Sequence, residues 1–300
     1  TKRPVSMIEA PLQQCGVVVK TTAGFPPVTV HGPMRGGEII VDGSASSQFL
    51  SGLLMALPLC AHDSIVKTVN LKSKPYILMT LELLSDFGID VEYSEDLSFF
   101  KIAGNQAYRP ITYTVEGDWS GASFPLVAGA IAGRVEVKNL RLNSKQADKA
   151  ILDAIKLAGA NIEVAGDSLT IEHRPLSGFT FDATDCPDLF PPLVALAACC
   201  NGITTIKGAK RLADKESDRA TALTKEFGKM GISIVVNGDD MHITGGKLRG
   251  AVVDSHNDHR IAMASGIAAL RADGAVTINQ PDCVAKSYTE FFTDLNSLRR

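Results

Sequence analysis

A chain of 300 residues, 45% hydrophobic and with a net charge of −3, is long enough for two cores, and its Asp and Glu (33) outnumber its Lys and Arg (30), which argues against a polyanion-binding surface. The longest apolar runs, such as LVALAACC at 193–200, fall well short of the ~18 residues that a spanning helix needs, and residues 1–10 carry a proline and a glutamate in place of a signal peptide's apolar stretch. Six cysteines (Cys15, Cys60, Cys186, Cys199, Cys200 and Cys283) with neither CxxC nor disulfide-like spacing predict reduced thiols and a cytoplasmic location.

In chain order, four segments end a helix-like run at glycine and continue as two short alternating runs: QCGVVVK…VTVHG, DFGIDVEYSEDLSFFKIAG, LAGANIEVAGDSLTIEH and KMGISIVVNGDDMHITGG. Their glycines, Gly16, Gly88, Gly159 and Gly231, are spaced 72, 71 and 72 residues apart. Each suits the left-handed position just past a helix, and the alternation after it suits a hairpin.

A second kind of helix lies upstream of each closing glycine: SSQFLSGLLMALPL from Ser46, SGASFPLVAGAIAG from Ser120, DLFPPLVALAACC from Asp188 and DHRIAMASGIAALRA from Asp258. Beyond their first turns these runs are apolar almost all round, which predicts helices buried on every side. A repeat therefore reads strand, buried helix, strand, amphipathic helix, two strands, with helices inside and sheets outside. The polar stretch AGNQAYRP at 103–110 marks the domain boundary, which gives 1–107 as the remainder of a first domain and 108–300 as a second. The pattern is cut at both ends. The repeat closed by Gly16 is expected to begin upstream of Thr1, and the last one stops before its final two strands. By that offset, with three repeats to each domain, about 120–130 further residues are expected.

The buried helices all start with polar or charged residues: Ser46, Ser47 and Gln48; Asp118 and Ser120; Asp188; and Asn257, Asp258, His259 and Arg260. Helix N-termini present unpaired N–H groups and a positive dipole end, so several aimed one way make an anion site. Ordinary capping explains Asp118 and Ser120 equally well. It does not explain Gln48, which is no preferred cap, or Arg260, whose charge opposes the dipole unless an anion faces it. The run DKESDR at 214–219 precedes a helix expected over about 215–230. Its stripe of Ala220, Leu223, Phe227 and Met230 would extend back to Glu216 and hold that carboxylate inward, where it keeps its proton longer. His256 and His259 have H-x-x-H spacing without an evident third ligand, and Cys186 reads as a small buried residue. Gly-rich phosphate loops are absent from the sequence.

Taken together, DGSASSQF, SKPY, EGDWSGAS, CPDLF, DKESDR, NDHR and DCVAKSY resemble the 3-phosphoshikimate 1-carboxyvinyltransferase (EPSP synthase) family over essentially the whole chain. The resemblance implies an α/β (α+β) fold, the inside-out α/β barrel of βαβαββ repeats in two domains. It also implies transfer of the enolpyruvyl group of phosphoenolpyruvate to the 5-hydroxyl of shikimate 3-phosphate, with no metal or organic cofactor. Carried over by position, Ser46, Ser47, Ser73 and Tyr76 would contact shikimate 3-phosphate. Arg3, Gln48, Arg219, Arg260 and Lys286 would hold phosphoenolpyruvate, and Lys215 would bridge the two. Asp188 would be the general base and Glu216 the acid, the first ionised near cations and the second kept protonated by its inward position. Partners would be these small molecules alone, with neither nucleic acid nor membrane, and the chain a monomer. Asp214 stands where the family usually has an apolar residue and Arg211 where some members have asparagine, which bears on fine substrate contacts. The family's early Lys-Ser motif and Gly-rich loop would lie upstream of Arg3, so residues 1–300 alone are expected to be catalytically silent. Two other readings stand beside this one: the sister enzyme that uses UDP-N-acetylglucosamine as acceptor, and a non-catalytic anion-binding chain.

Overall fold

In the computed structural model, residues 4–44, 47–166, 168–213 and 215–298 are described. The chain divides into two compact units, Thr1–Thr114 and Val115–Arg300.

The first unit runs α1 (Glu9–Gln14), β1 (Val18–Thr22), β2 (Phe25–His31), β3 (Gly37–Asp42), α2 (Gln48–Ala56), β4 (Ser64–Val69), α3 (Lys74–Asp86), β5 (Glu92–Tyr93) and β6 (Phe99–Ile102). Strands β1 and β2 form an antiparallel hairpin, and the other four make a sheet in the order β3-β4-β6-β5. β3 and β4 are parallel, as two strands joined through a helix must be, while β4-β6 and β6-β5 are antiparallel.

The second unit repeats this plan around one core. It contains α4 (Trp119–Ala132), β7 (Arg134–Lys138), α5 (Ile151–Ala158), β8 (Asn161–Ala165), β9 (Ser168–Glu172) and β10 (Thr180–Asp182). It continues with α6 (Phe190–Ala198), β11 (Ile203–Lys207), α7 (Arg219–Lys229), β12 (Ser233–Asn237), β13 (Asp240–Thr244) and β14 (Arg249–Asp254), and closes with α8 (His259–Ala268), β15 (Asp273–Asn279) and α9 (Phe291–Ser297). The sheet β10-β11-β13-β12 copies the first unit's strand order; β7-β9-β8 is that order without its first strand, and β14-β15 is its parallel pair alone. Helices α4, α6 and α8 pack on one another at the centre, and every residue of α6 is buried. Helices thus lie inside and sheets outside, and no closed barrel forms among the described residues.

The closing glycines explain the regularity. Gly16, Gly88, Gly159 and Gly231 all have positive φ (79°, 79°, 102° and 88°), where a side chain would clash. The next residue's N–H then returns five positions to the helix: Val17 to Leu12, Ile89 to Leu84, Ala160 to Ile155 and Ile232 to Phe227, at 2.9–3.2 Å. Both residues of every pair are apolar. This is a Schellman closure with its hydrophobic contact, repeated four times.

Three expectations need correction. Helix α2 buries only Leu50, Leu53 and Leu54 and exposes Met55, so it is one-sided; among the described residues of its unit, α3 is the helix that packs broadly against it. The repeat also calls for a strand ahead of α4, but residues 111–115 form none, since no described strand lies beside them, and Ile111 and Val115 are exposed. Helix α7 begins at Arg219 rather than near 215. Asp218 takes an extended N-cap conformation and accepts the Thr221 N–H at 3.1 Å and its hydroxyl at 2.7 Å, which ends the helix there and leaves Glu216 outside it. The inward stripe of α7 therefore does not reach Glu216.

Leu196, fully buried in α6 where α4 and α8 meet it, tests the core. Leu196→Ala should lower unfolding free energy by about 2–5 kcal/mol in urea, through lost transfer energy and an unfilled cavity; a loss below ~1 kcal/mol would contradict a close-packed centre.

Candidate active site

Parallel strand pairs decide where the polar residues collect. β3 and β4 end in register at Asp42 and Val69, β10 and β11 at Asp182 and Lys207, and β14 and β15 at Asp254 and Asn279. Every segment that follows starts from the same edge of its sheet, the carboxyl edge where open α/β sheets bind ligands. The first strand of each pair ends in an aspartate that accepts the N–H two residues on: Asp42 from Ser44 at 2.9 Å, Asp182 from Thr184 at 2.9 Å and Asp254 from His256 at 2.6 Å. These three turns went unnoticed in the sequence, although DGS, DAT and DSH at repeat-equivalent strand ends carry the signal.

In the first unit, Ser47 is the buried N-cap residue of α2, with Gln48 as that helix's first residue. Ser73, also buried, is the N-cap of α3 with φ 53°, and the partly buried Tyr76 lies in the first turn. The Ser51 and Thr80 hydroxyls, 2.9 Å apart, tie the two helices together. Ser46, Arg3 and Asp214 lie outside the described residues.

In the second unit the structure brings Asp188, Lys215, Glu216, Arg219 and Arg260 into one cluster. Arg219, the first residue of α7, has a side chain only 1% exposed. Its Nε donates to Asp258 Oδ2 at 2.8 Å, Nη1 to Asp188 Oδ1 at 2.7 Å and Nη2 to Glu216 Oε2 at 2.5 Å. Arg260 Nη2 lies 3.2 Å from Asp188 Oδ2, and its Nη1 donates to Ser120 Oγ at 2.6 Å. Lys215 Nζ stands 3.7 Å from Asp188 Oδ1. Lys286 is exposed and donates to the Asn257 carbonyl. Arg211 Nη1 donates to the Thr184 carbonyl at 2.8 Å.

Asp258 also caps α8, accepting the Arg260 N–H at 3.0 Å, and it accepts the Ser217 hydroxyl at 3.0 Å. Asp118 caps α4 through the N–H groups of Ser120 and Gly121. His256 faces Glu226 at 2.8 Å, and no group of three candidate metal ligands exists among the described residues. All six cysteines are free.

Charge follows from this geometry. Burial alone would raise the Asp188 pKa, but Arg260, Arg219 and Lys215 outweigh it and hold the carboxyl well below the usual range. Burial pushes the Lys215 ammonium down, against the pull of Asp188. Burial and the adjacent Arg260 charge push the His259 imidazole down as well. Glu216, by contrast, is 36% exposed on its side chain and tied to Arg219.

Asp148 was missed in the sequence. It is 1% exposed, and burial pushes its pKa up to about 6 against the pull of Arg260 and a Ser120 hydrogen bond. No spacing rule marks it, since it sits within a single 3-10 turn, Ala147–Ala150, of an ordinary-looking run, QADKA.

Cationic side chains gathered around an ionised carboxylate at the starts of α4, α7 and α8 make an arrangement suited to an anionic ligand beside a proton acceptor. The EPSP synthase (3-phosphoshikimate 1-carboxyvinyltransferase) family profile matches residues 1–295, and the chain belongs to that family. Among relatives, the 3-phosphoshikimate 1-carboxyvinyltransferase of Clostridium acetobutylicum is 45% identical over 274 residues, which take in 91% of this chain and 63% of that protein. The Methanocella arvoryzae enzyme of the same name is 43% identical over 99% of this chain and 71% of its own length. An EPSP synthase structure from Acinetobacter baumannii superposes with a TM-score of 0.79 at 30% identity, covering 99% of this chain and 71% of that one. The chain thus spans about two thirds of the length of these relatives.

Asp148 offers a stability test. Its folded pKa, about 6, lies above the ordinary 3.8, so the folded protein is favoured by protonation below pH 4 and loses that advantage as pH rises through 6. Asp148→Asn should therefore gain about 1–3 kcal/mol over wild type at pH 7–8 and nothing below pH 4, read from denaturant curves. Equal stability at both ends would show that the carboxylate is solvated or paired.

Proposed function

We propose that the protein carrying this chain transfers the enolpyruvyl group of phosphoenolpyruvate to the 5-hydroxyl of shikimate 3-phosphate and releases phosphate. The observation that carries this reading is Asp188 at the meeting point of Arg219, Arg260 and Lys215 within a chain of this family. Ser46, Ser47, Ser73 and Tyr76 then hold shikimate 3-phosphate, with the N-termini of α2 and α3 supplying N–H groups. Gln48, Arg3, Arg219, Arg260 and Lys286 hold phosphoenolpyruvate, and Lys215 spans both. The products fit a cytoplasmic biosynthetic monomer with small-molecule partners only, and six unpaired thiols suit that compartment.

The chemistry needs a base for the 5-hydroxyl and an acid for the methylene carbon. Asp188 serves as base once phosphoenolpyruvate arrives. The incoming phosphate and carboxylate engage Arg260, Arg219 and Lys215, their pull on Asp188 weakens, and burial then raises its proton affinity. Glu216 serves as the acid when the same anion competes for Arg219. Once engaged by the substrate, these cations stabilise the charge of the tetrahedral intermediate.

Phosphorus NMR of the complete protein with both substrates should show phosphoenolpyruvate replaced by inorganic phosphate and a new phosphorylated product. Turnover only with UDP-N-acetylglucosamine would favour the sister activity, and binding without turnover would leave an anion-binding protein. Arg260→Ala should lower kcat/KM by about two orders of magnitude or more, equivalent to roughly 2–5 kcal/mol; a loss under threefold would remove Arg260 from the site. The Asp188 carboxyl, followed by carbon NMR, should titrate at higher pH with phosphoenolpyruvate bound than without it. An unchanged or lower titration would exclude the switch from ion pair to base.

A further inference from the structure

Residues 254–258 join β14 to α8 and carry two consecutive non-glycine residues in the left-handed region, His256 (φ 53°) and Asn257 (φ 54°). Such backbone persists only where its surroundings over-determine it. Here the surroundings are specific. Asp254 Oδ1 accepts the His256 N–H at 2.6 Å, and the Ser255 hydroxyl accepts the Asn257 N–H at 3.2 Å while donating to the Gln280 carbonyl at 3.1 Å. The Asp258 N–H closes the turn on the Ser255 carbonyl at 2.9 Å.

One residue from another element grips this turn from its inner side. Glu226, on α7, has a fully buried side chain. Its Oε2 accepts the Asp254 N–H at 3.0 Å, and its Oε1 faces His256 Nε2 at 2.8 Å. Lys229, one turn on, meets Oε2 at 2.5 Å. A buried carboxylate costs free energy unless every oxygen is partnered. This one is, and two of its three partners belong to the strained turn.

The consequences run directly into the anion cluster. Asp258, the last residue of the turn, caps α8 beneath Arg260 and receives Arg219 Nε. The Asn257 carbonyl, aimed by its left-handed φ, accepts the Lys286 ammonium. Helix α7 therefore touches the 254–258 segment twice, at Arg219–Asp258 and again at Glu226 with Asp254 and His256. Two attachments fix a rotation that one leaves open.

We propose that Glu226 and His256 are positioning residues, which lock the 256–257 turn against α7 and thereby hold Arg260 and Lys286 in the geometry that binds phosphoenolpyruvate. The proposal rests on the functional reading given above. Neither residue touches substrate; both act through Asp258 and the Asn257 carbonyl.

Three single variants of the complete protein test it: Glu226→Gln, His256→Asn and His256→Gln. Asn tolerates left-handed backbone but is too short to reach Glu226, whereas Gln presents an amide N–H near the position of Nε2. Phosphoenolpyruvate binding is read from the fluorescence of the single tryptophan, Trp119, the residue before Ser120, and confirmed by calorimetry. Glu226→Gln and His256→Asn should each weaken phosphoenolpyruvate binding about tenfold or more, with shikimate 3-phosphate affinity within about twofold and kcat at saturation within about threefold of wild type. The double variant should be no worse than the weaker single one, as expected for groups acting as one unit. His256→Gln should recover most of the loss. Wild-type affinity in His256→Asn would overturn the proposal, and so would equal losses for both substrates that track a fall in Tm. Should Glu226→Gln fail to fold, the pair of variants at the partly exposed His256 decides the question alone. Failure of wild type itself to bind phosphoenolpyruvate would overturn the functional reading and this proposal with it, which separates the two failures.

Discussion

The second unit depends on one buried guanidinium. Arg219 has almost no access to water, and it is satisfied only because three carboxylates from three segments, Asp188, Glu216 and Asp258, converge on it. A charge of that kind is unaffordable without partners, so the packing of α7 against α8 and the 187–189 turn is coupled to the cluster's assembly. Breaking one side of such a buried network leaves the remaining charges uncompensated. The cluster is therefore both the candidate chemical centre and a constraint on the core around it.

That dual character explains the distribution of acids. Asp188 is held ionised by cations that an anionic ligand would claim, while burial drives the Asp148 carboxyl toward its neutral form. Two carboxyls near one arginine thus have opposite tendencies, set by whether burial or Coulomb attraction prevails. Environments that push acids apart are the usual mark of sites that move protons. Glu226 shows a third arrangement, fully buried and fully partnered, with stability and alignment as its contribution.

The architecture makes this concentration possible by repetition. Each βαβ pair delivers its following loops to the same sheet edge, so residues far apart in the chain are drawn toward one place. Arg260 and Ser120, separated by 140 positions, meet at 2.6 Å because α8 and α4, equivalent helices of repeats two periods apart, pack side by side.

The sequence by itself determined the repeat, the four Schellman closures, the buried helices of the second unit and the polar starts of those helices. All of these are local, since a glycine at positive φ and an apolar residue on each side of it need only five neighbours to act. The motifs of the anion site were also legible, because residue type and order survive without coordinates. Partnership was not. The inward reading of Glu216 failed because the Asp218 cap, a competitor of equal strength, set the helix start three residues past it. The absent strand at 111–115 and the exposed side of α2 were decided by what lies beside them, which periodicity does not encode. Asp148, Glu226 and the strained 256–257 turn became visible only in three dimensions, because burial and the sharing of one carboxylate between distant donors are properties of packing and not of spacing.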